Sequence, residues 1–293
     1  MPSKRDSSLS PAIDSERSDV PASTGKIAVY RDNDKQGRPL LLLHSINAAP
    51  SAMEIKPLFE HYREQRPVFA PDLPGFGLSS RPDLLYTPKL YADAILLILK
   101  ELDLSGADVI ALSTTSEFAA MAASQSPELF NSLTIVSPTG LGNRNPPTER
   151  TSDTIRGVFR TPFLAEGVFR LLTSKASIRF FLNQSFQGSA PEEMIDYAYA
   201  TSHQSGAHFA PYCFLSGRLF TRSACELFYE QLTVPTLVLY DRDANISFEK
   251  LPQLLERNTV CESARISPTM GLPHWEKLPE TVAAIDQFWS QSH

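Results

Sequence analysis

The stretch that decides the fold is Ala107-Asp-Val-Ile-Ala-Leu-Ser113-Thr-Thr-Ser-Glu-Phe-Ala-Ala-Met-Ala-Ala123. Val109 to Leu112 form an apolar run of β type. The alanine-rich segment after Ser113 reads as a helix to Gln125, with Pro127 just beyond. The pattern predicts a buried strand, a tight turn and a helix, with Ser113 at the turn. Such a turn lifts a serine Oγ above the sheet, and the free N–H groups of the helix N-terminus can receive a developing oxyanion. The plainer reading is an ordinary loop in which Ser113 or Thr114 only caps the helix.

Working outward, Pro39-Leu-Leu-Leu-Leu-His44 is a short apolar run, consistent with a strand buried on both faces. It ends in His44-Ser45-Ile46-Asn47. Pro67-Val-Phe-Ala70 is a second short strand pattern. It runs into Pro71-Asp72-Leu73-Pro74-Gly75-Phe76-Gly77-Leu78-Ser79, whose Pro and Gly residues fix a tight, non-repetitive path. Val234-Pro-Thr-Leu-Val-Leu-Tyr240 reads as a buried strand, followed by Asp241-Arg242-Asp243. Gly271-Leu272-Pro273-His274-Trp275-Glu276 precedes an amphipathic helix from about Pro279 to Trp289.

In this order the segments resemble the α/β-hydrolase fold superfamily, over the chain from about Lys26 to Trp289. The resemblance implies an α/β fold with a mostly parallel central sheet flanked by helices and an inserted helical cap. Asp72 to Ser79 is similar to the family's Asp-x-Pro-Gly-x-Gly-x-Ser loop. Ala111-Leu112-Ser113-Thr114-Thr115 departs from Gly-x-Ser-x-Gly at both glycines, and Ser45 stands where the family has the glycine of His-Gly. The chain order Ser, Asp, His is the family's.

The resemblance implies a triad of Ser113 as nucleophile, Asp243 as acid and His274 as base. Asp241 is the rival acid, nearer the strand end. The family usually has Gly-His in the last loop. Here Leu272 and Pro273 separate Gly271 from His274, so the loop is expected to be shifted. The oxyanion hole would use the backbone N–H groups of Thr114 and of Ile46 or Ser45.

At 293 residues and 42% hydrophobic content the chain can bury one large α/β domain, with or without a cap. Residues 1–25 are rich in Ser, Asp, Pro and Arg, lack an apolar signal-type run, and are expected to be a disordered tail. The expected core is 26–138 and 232–293. The expected cap is 139–231, with helical patterns over 159–172, 178–182, 191–201 and 209–220 that are dense in Phe and Leu. A net charge of −6 gives no reason to propose nucleic acid. No run is long enough for stable membrane insertion. Three cysteines, Cys213, Cys225 and Cys261, lack metal spacing and suggest a reducing, cytoplasmic setting. No metal or other cofactor is implied. A homodimer is left open.

The expected activity is that of a serine hydrolase, cleaving a small apolar ester, thioester or lactone through an acyl-enzyme. Carbon–carbon bond hydrolysis and acyl transfer run on the same triad. A non-catalytic ligand-binding protein of the same fold is the third reading, and the altered elbow and Ser45 lend it weight.

Overall fold

The computed structural model describes residues 9–159 and 164–291. Its strands are β1 Glu16–Ala22, β2 Gly25–Asp32, β3 Leu40–Leu43, β4 Val68–Pro71, β5 Ala107–Leu112, β6 Phe130–Val136, β7 Thr236–Arg242 and β8 Cys261–Met270. They form one eight-stranded sheet in the order β1-β2-β4-β3-β5-β6-β7-β8. The pairs from β4 to β8 are parallel, and β2 pairs antiparallel with both β1 and β4. The four leucines of β3 show why the strand reads as a continuous apolar run. Leu41 and Leu43 enter one core cluster and Leu40 and Leu42 the other, so both faces are covered.

The expected tail is corrected by this sheet. Glu16–Ala22 is an edge strand hairpinned to β2. Ile13 is buried, and the Ala12 N–H donates to Tyr30 Oη at 2.9 Å. The composition hid the strand because Val20 is its one buried side chain. An edge strand with an exposed face carries polar residues. Residues 1–8 of that expected tail lie outside the described residues.

Helices α1 Lys56–Tyr62, α2 Pro88–Glu101 and α3 Thr115–Gln125 pack on the sheet. Between β6 and β7 the described residues form helices and turns: α4 Glu149–Phe159, α5 Leu164–Leu172, α6 Lys175–Asn183, α7 Glu192–Ser202, α8 Phe209–Leu215 and α9 Ala224–Leu227. The helix pattern read over 159–172 falls partly outside the described residues. Helices α10 Leu251–Arg257, α11 Pro273–Glu276 and α12 Leu278–Gln291 complete the chain. Among the described residues no helix is long and apolar enough to cross a membrane.

Two features hold the strand ends in place for the site. The small side chains of α3, Ala119, Ala120, Ala122 and Ala123, are all buried and let the helix lie close to its neighbours. The Asp72 carboxylate receives the N–H groups of Ala52 and Leu78, each at 2.8 Å. Gly77 has φ 51° there, and a Cβ on it would sit 1.9 Å from Asp72 Cγ, so only glycine fits this turn.

Candidate active site

Ser113 follows β5 with φ 51°, a left-handed conformation that a non-glycine residue adopts only under constraint. The constraint is visible. The Ser113 N–H donates to Val136 O at 2.9 Å, which extends the β5–β6 ladder by one step. Its carbonyl then accepts from Ser116 N–H at 3.1 Å as α3 begins. The side chain is left half-buried at the strand ends. Ser113 is not a side-chain cap of α3: no bond joins its Oγ to that helix, and the N-cap residue, Thr114, has no side-chain cap bond either.

The departures from the glycine pattern are absorbed locally. Ala111 is fully buried within the strand. Thr115 turns its hydroxyl back to donate to His44 O at 2.7 Å, so its extra bulk bridges the ends of β5 and β3. His44 Nε2 accepts from Leu73 N–H at 2.9 Å, which places the proton on Nδ1, facing Ser45 O at 2.6 Å. That histidine is structural.

Of the expected oxyanion donors, two are free and one is taken. The N–H groups of Thr114 and Ile46 have no acceptor among the described residues. The Ser45 N–H donates to Glu54 Oε2 at 2.8 Å, which corrects its place in the expected hole. Glu54 Oε1 receives Asn47 Nδ2 at 2.7 Å, and the same Nδ2 also donates to Ser45 Oγ at 3.0 Å. This Glu54–Asn47–Ser45 knot fixes the turn that presents Ile46. No short motif in the sequence marks it.

Ser113, Thr114, Ile46, Asp243, Gly271 and Leu272 line one cavity of about 420 Å³. The volume suits a small molecule. The segment between β6 and β7 supplies further lining, with Leu172, Phe181, Phe214, Leu215 and Phe220 among its residues. Asp243 Oδ1 receives the N–H groups of Asn245 at 2.7 Å and Ile246 at 2.9 Å. Burial pushes its carboxyl up from the usual range, against those two donors. Asp241 is committed elsewhere: its carboxylate receives Arg265 Nε at 2.7 Å and Thr269 N–H at 2.8 Å, tying β7 to β8. Of the two candidate acids, Asp243 is thus the one that lines the cavity with Ser113.

His274 is not brought to Ser113 or Asp243, and this corrects its expected role. It is fully buried on α11, outside the cavity wall, with Nε2 2.7 Å from Glu54 O. That contact makes Nε2 the donor and leaves Nδ1 as an acceptor with no partner. Burial pushes its pKa down to about 4, with the Glu54 carbonyl acting weakly in the opposite direction, so the ring is neutral near pH 7. Trp275 Nε1 donates to the same Glu54 carbonyl at 2.7 Å. The loop is not shifted to bring the histidine in. Gly271 has φ 58°, and a Cβ on it would lie 2.9 Å from Asp243 Oδ2. The glycine is therefore seated against the acid, and the next residue, Leu272, lines the cavity. Leu272, directly after Gly271, takes the place of the histidine in the family's Gly-His pattern. The signal was in the sequence, as a Gly-Leu in place of a Gly-His.

A larger cavity of about 770 Å³ adjoins the first and shares Thr139, Phe214 and Asp243 with it. Glu117 of α3 lies at its edge, buried, accepting from Thr139 Oγ1 and from Thr221 N–H at 2.8 Å. Burial pushes this carboxyl up to about 7. Among the described residues no cluster of His, Cys, Asp and Glu could hold a metal ion.

Residues 40–284 match the Alpha/beta hydrolase family, and the chain belongs to it. No curated protein sequence matches the chain. Solved structures share its fold at low identity. One is a serine hydrolase involved in carbazole degradation, at 17% identity and TM-score 0.76, covering 94% of this chain and 99% of that one. A thermophilic esterase from Thermogutta terrifontis has 20% identity and TM-score 0.69, with 95% and 100% covered. A meta-cleavage product hydrolase from Pseudomonas fluorescens IP01 has 16% identity and TM-score 0.72, with 94% and 98% covered.

Proposed function

We propose that the protein is a serine-dependent hydrolase of a small, largely apolar acyl or aryl compound, working without an imidazole from the described residues of its cavity. The carrying observation is Ser113 at a left-handed elbow, beside two N–H groups that have no acceptor, in a cavity walled by cap phenylalanines. The substrate carbonyl carbon lies over Ser113 Oγ, and its oxygen lies on the N–H groups of Thr114 and Ile46. Those donors stabilise charge that develops only during attack, by roughly 3–4 kcal/mol each in a dry site. Apolar walls add up to about 0.8 kcal/mol for each methylene they bury.

With no side-chain base beside it among the described residues, Ser113 passes its proton through water to the leaving group as the acyl bond breaks, so turnover of simple esters is slow. In a triad site stripped of its catalytic side chains, binding and the oxyanion hole still leave about 10³–10⁴ over water. One observation favours a second reading, a ligand-binding protein without turnover: Leu272 in the place of the base. Neutral p-nitrophenyl esters of graded chain length, run beside a fluorophosphonate probe, separate the two. The hydrolase reading predicts slow labelling at Ser113 and a kcat/KM that climbs from acetyl to medium-chain esters. No labelling and no turnover, with esters still bound, would leave the binding protein.

A further inference from the structure

We propose that the ligand carries a protonated nitrogen beside its apolar body, and that Asp243 holds this nitrogen in the cavity. The inference rests on the reading of that cavity as the ligand site. Asp243 Oδ1 is saturated by the Asn245 and Ile246 N–H groups, but Oδ2 has no hydrogen bond among the described residues. Gly271 places no side chain over it: a Cβ there would meet Oδ2 at 2.9 Å. Leu272 offers no donor, and His274 is bound to the Glu54 carbonyl. A carboxylate oxygen in apolar surroundings is costly until it meets a donor, and a cationic donor serves best.

The rest of the cavity points the same way. The charged residues among its described lining are Asp243 and Glu54, both acids, with no Lys, Arg or His. Both Glu54 oxygens are already bonded, to Ser45 N–H and Asn47 Nδ2, so Asp243 is the one that seeks a partner. Phe181, Phe214 and Phe220 line the same space. Aromatic faces attract an ammonium group in a desolvated pocket. Arg144 and Lys250 line only the adjoining cavity. Lys250 is held by Glu226 at 2.7 Å, and no ion pair joins either residue to Asp243.

The test is calorimetric titration of the full chain and of Asp243→Asn with phenylbutylamine, phenylbutanol, phenylbutyrate and the neutral ketone benzylacetone at pH 7. The amine should bind about tenfold more tightly than the alcohol. The acid should bind most weakly. Asp243→Asn should erase the amine's advantage over the alcohol and leave the neutral ketone's binding unchanged. The amine should also slow fluorophosphonate labelling of Ser113, which locates it in this cavity. If the alcohol and ketone bind but the amine has no advantage, or keeps it in Asp243→Asn, the nitrogen proposal is overturned and the apolar cavity stands. If none of the four binds, both readings are overturned.

Discussion

The two halves of the site depart from the family's pattern to different degrees. The half around Ser113 is set by backbone. Ser113 hangs on the parallel ladder through Val136 O, and α3 begins directly behind it. Replacing both glycines of the pattern has not moved it, because Thr115 bonds back to His44 O. The opposite half depends on one side chain in a loop. There the backbone is kept, with Gly271 against Asp243, but Leu272 faces the cavity without any chemistry for proton transfer. Geometry fixed by sheet and helix tolerates substitution, whereas a role vested in one loop residue is lost with it.

The comparison can be broken first at its better half. Ser113→Ala should abolish covalent capture of a fluorophosphonate and all ester turnover above background, while circular dichroism stays native. Residual labelling elsewhere in the cavity would move the nucleophile. The weaker half is sharpened by Leu272→His, which places an imidazole beside Asp243. Turnover of p-nitrophenyl butyrate should rise by roughly 10²–10⁴-fold, the usual contribution of a positioned general base. Adding Asp243→Asn should remove most of that gain. No gain from Leu272→His in a folded variant would show that Leu272 is not at the base position.

A smaller effect concerns stability. Burial raises Glu117 from 4.5 to about 7, so between these values the folded protein keeps a proton that the unfolded chain has lost. Stability is full below the unfolded value and falls as pH rises toward the folded one. His274, lowered from 6.5 to about 4, acts with the opposite sign: its contribution is full above the unfolded value and is lost as pH falls toward the folded one. The two slopes oppose each other where the windows overlap. Glu117→Gln should therefore gain about 2–4 kcal/mol on the wild type between roughly pH 4.5 and 8, measured by urea unfolding. Parallel curves for the two proteins across that range would remove Glu117 from the account.

The parallel strands β3, β4, β5 and β7 were legible because each is a short apolar run with a turn signal at its end, as in Pro39 to His44. Strand β8 was not, because only Cys261, Ile266 and Thr269 are buried along it. The elbow was legible despite Ala111 and Thr115, since the strand-to-helix switch survives both. The edge strand β1 was not, because Val20 alone is buried along it. Asp243, singled out by its distance from the strand end, lines the cavity with Ser113, whereas Asp241 does not. His274 was misplaced because residue type was weighed above register: Gly271 keeps its seat, so Leu272, and not the next histidine, faces Ser113's cavity. Glu54 was invisible because its bonds to the Ser45 N–H and Asn47 Nδ2 arise only when the loop between β3 and α1 folds back on itself.

The central claim is that no histidine among the described residues serves Ser113. The pH dependence of fluorophosphonate labelling tests it directly, in the wild type, His274→Gln and Leu272→His. A glutamine Nε2 takes the place of the imidazole Nε2, so His274→Gln keeps an N–H for the Glu54 carbonyl. The account predicts wild-type and His274→Gln rates that coincide at every pH, and a new rise near the histidine reference of about 6.5 in Leu272→His alone. A wild-type rise through a histidine-like pKa that disappears in His274→Gln would contradict it, and would return the base to His274.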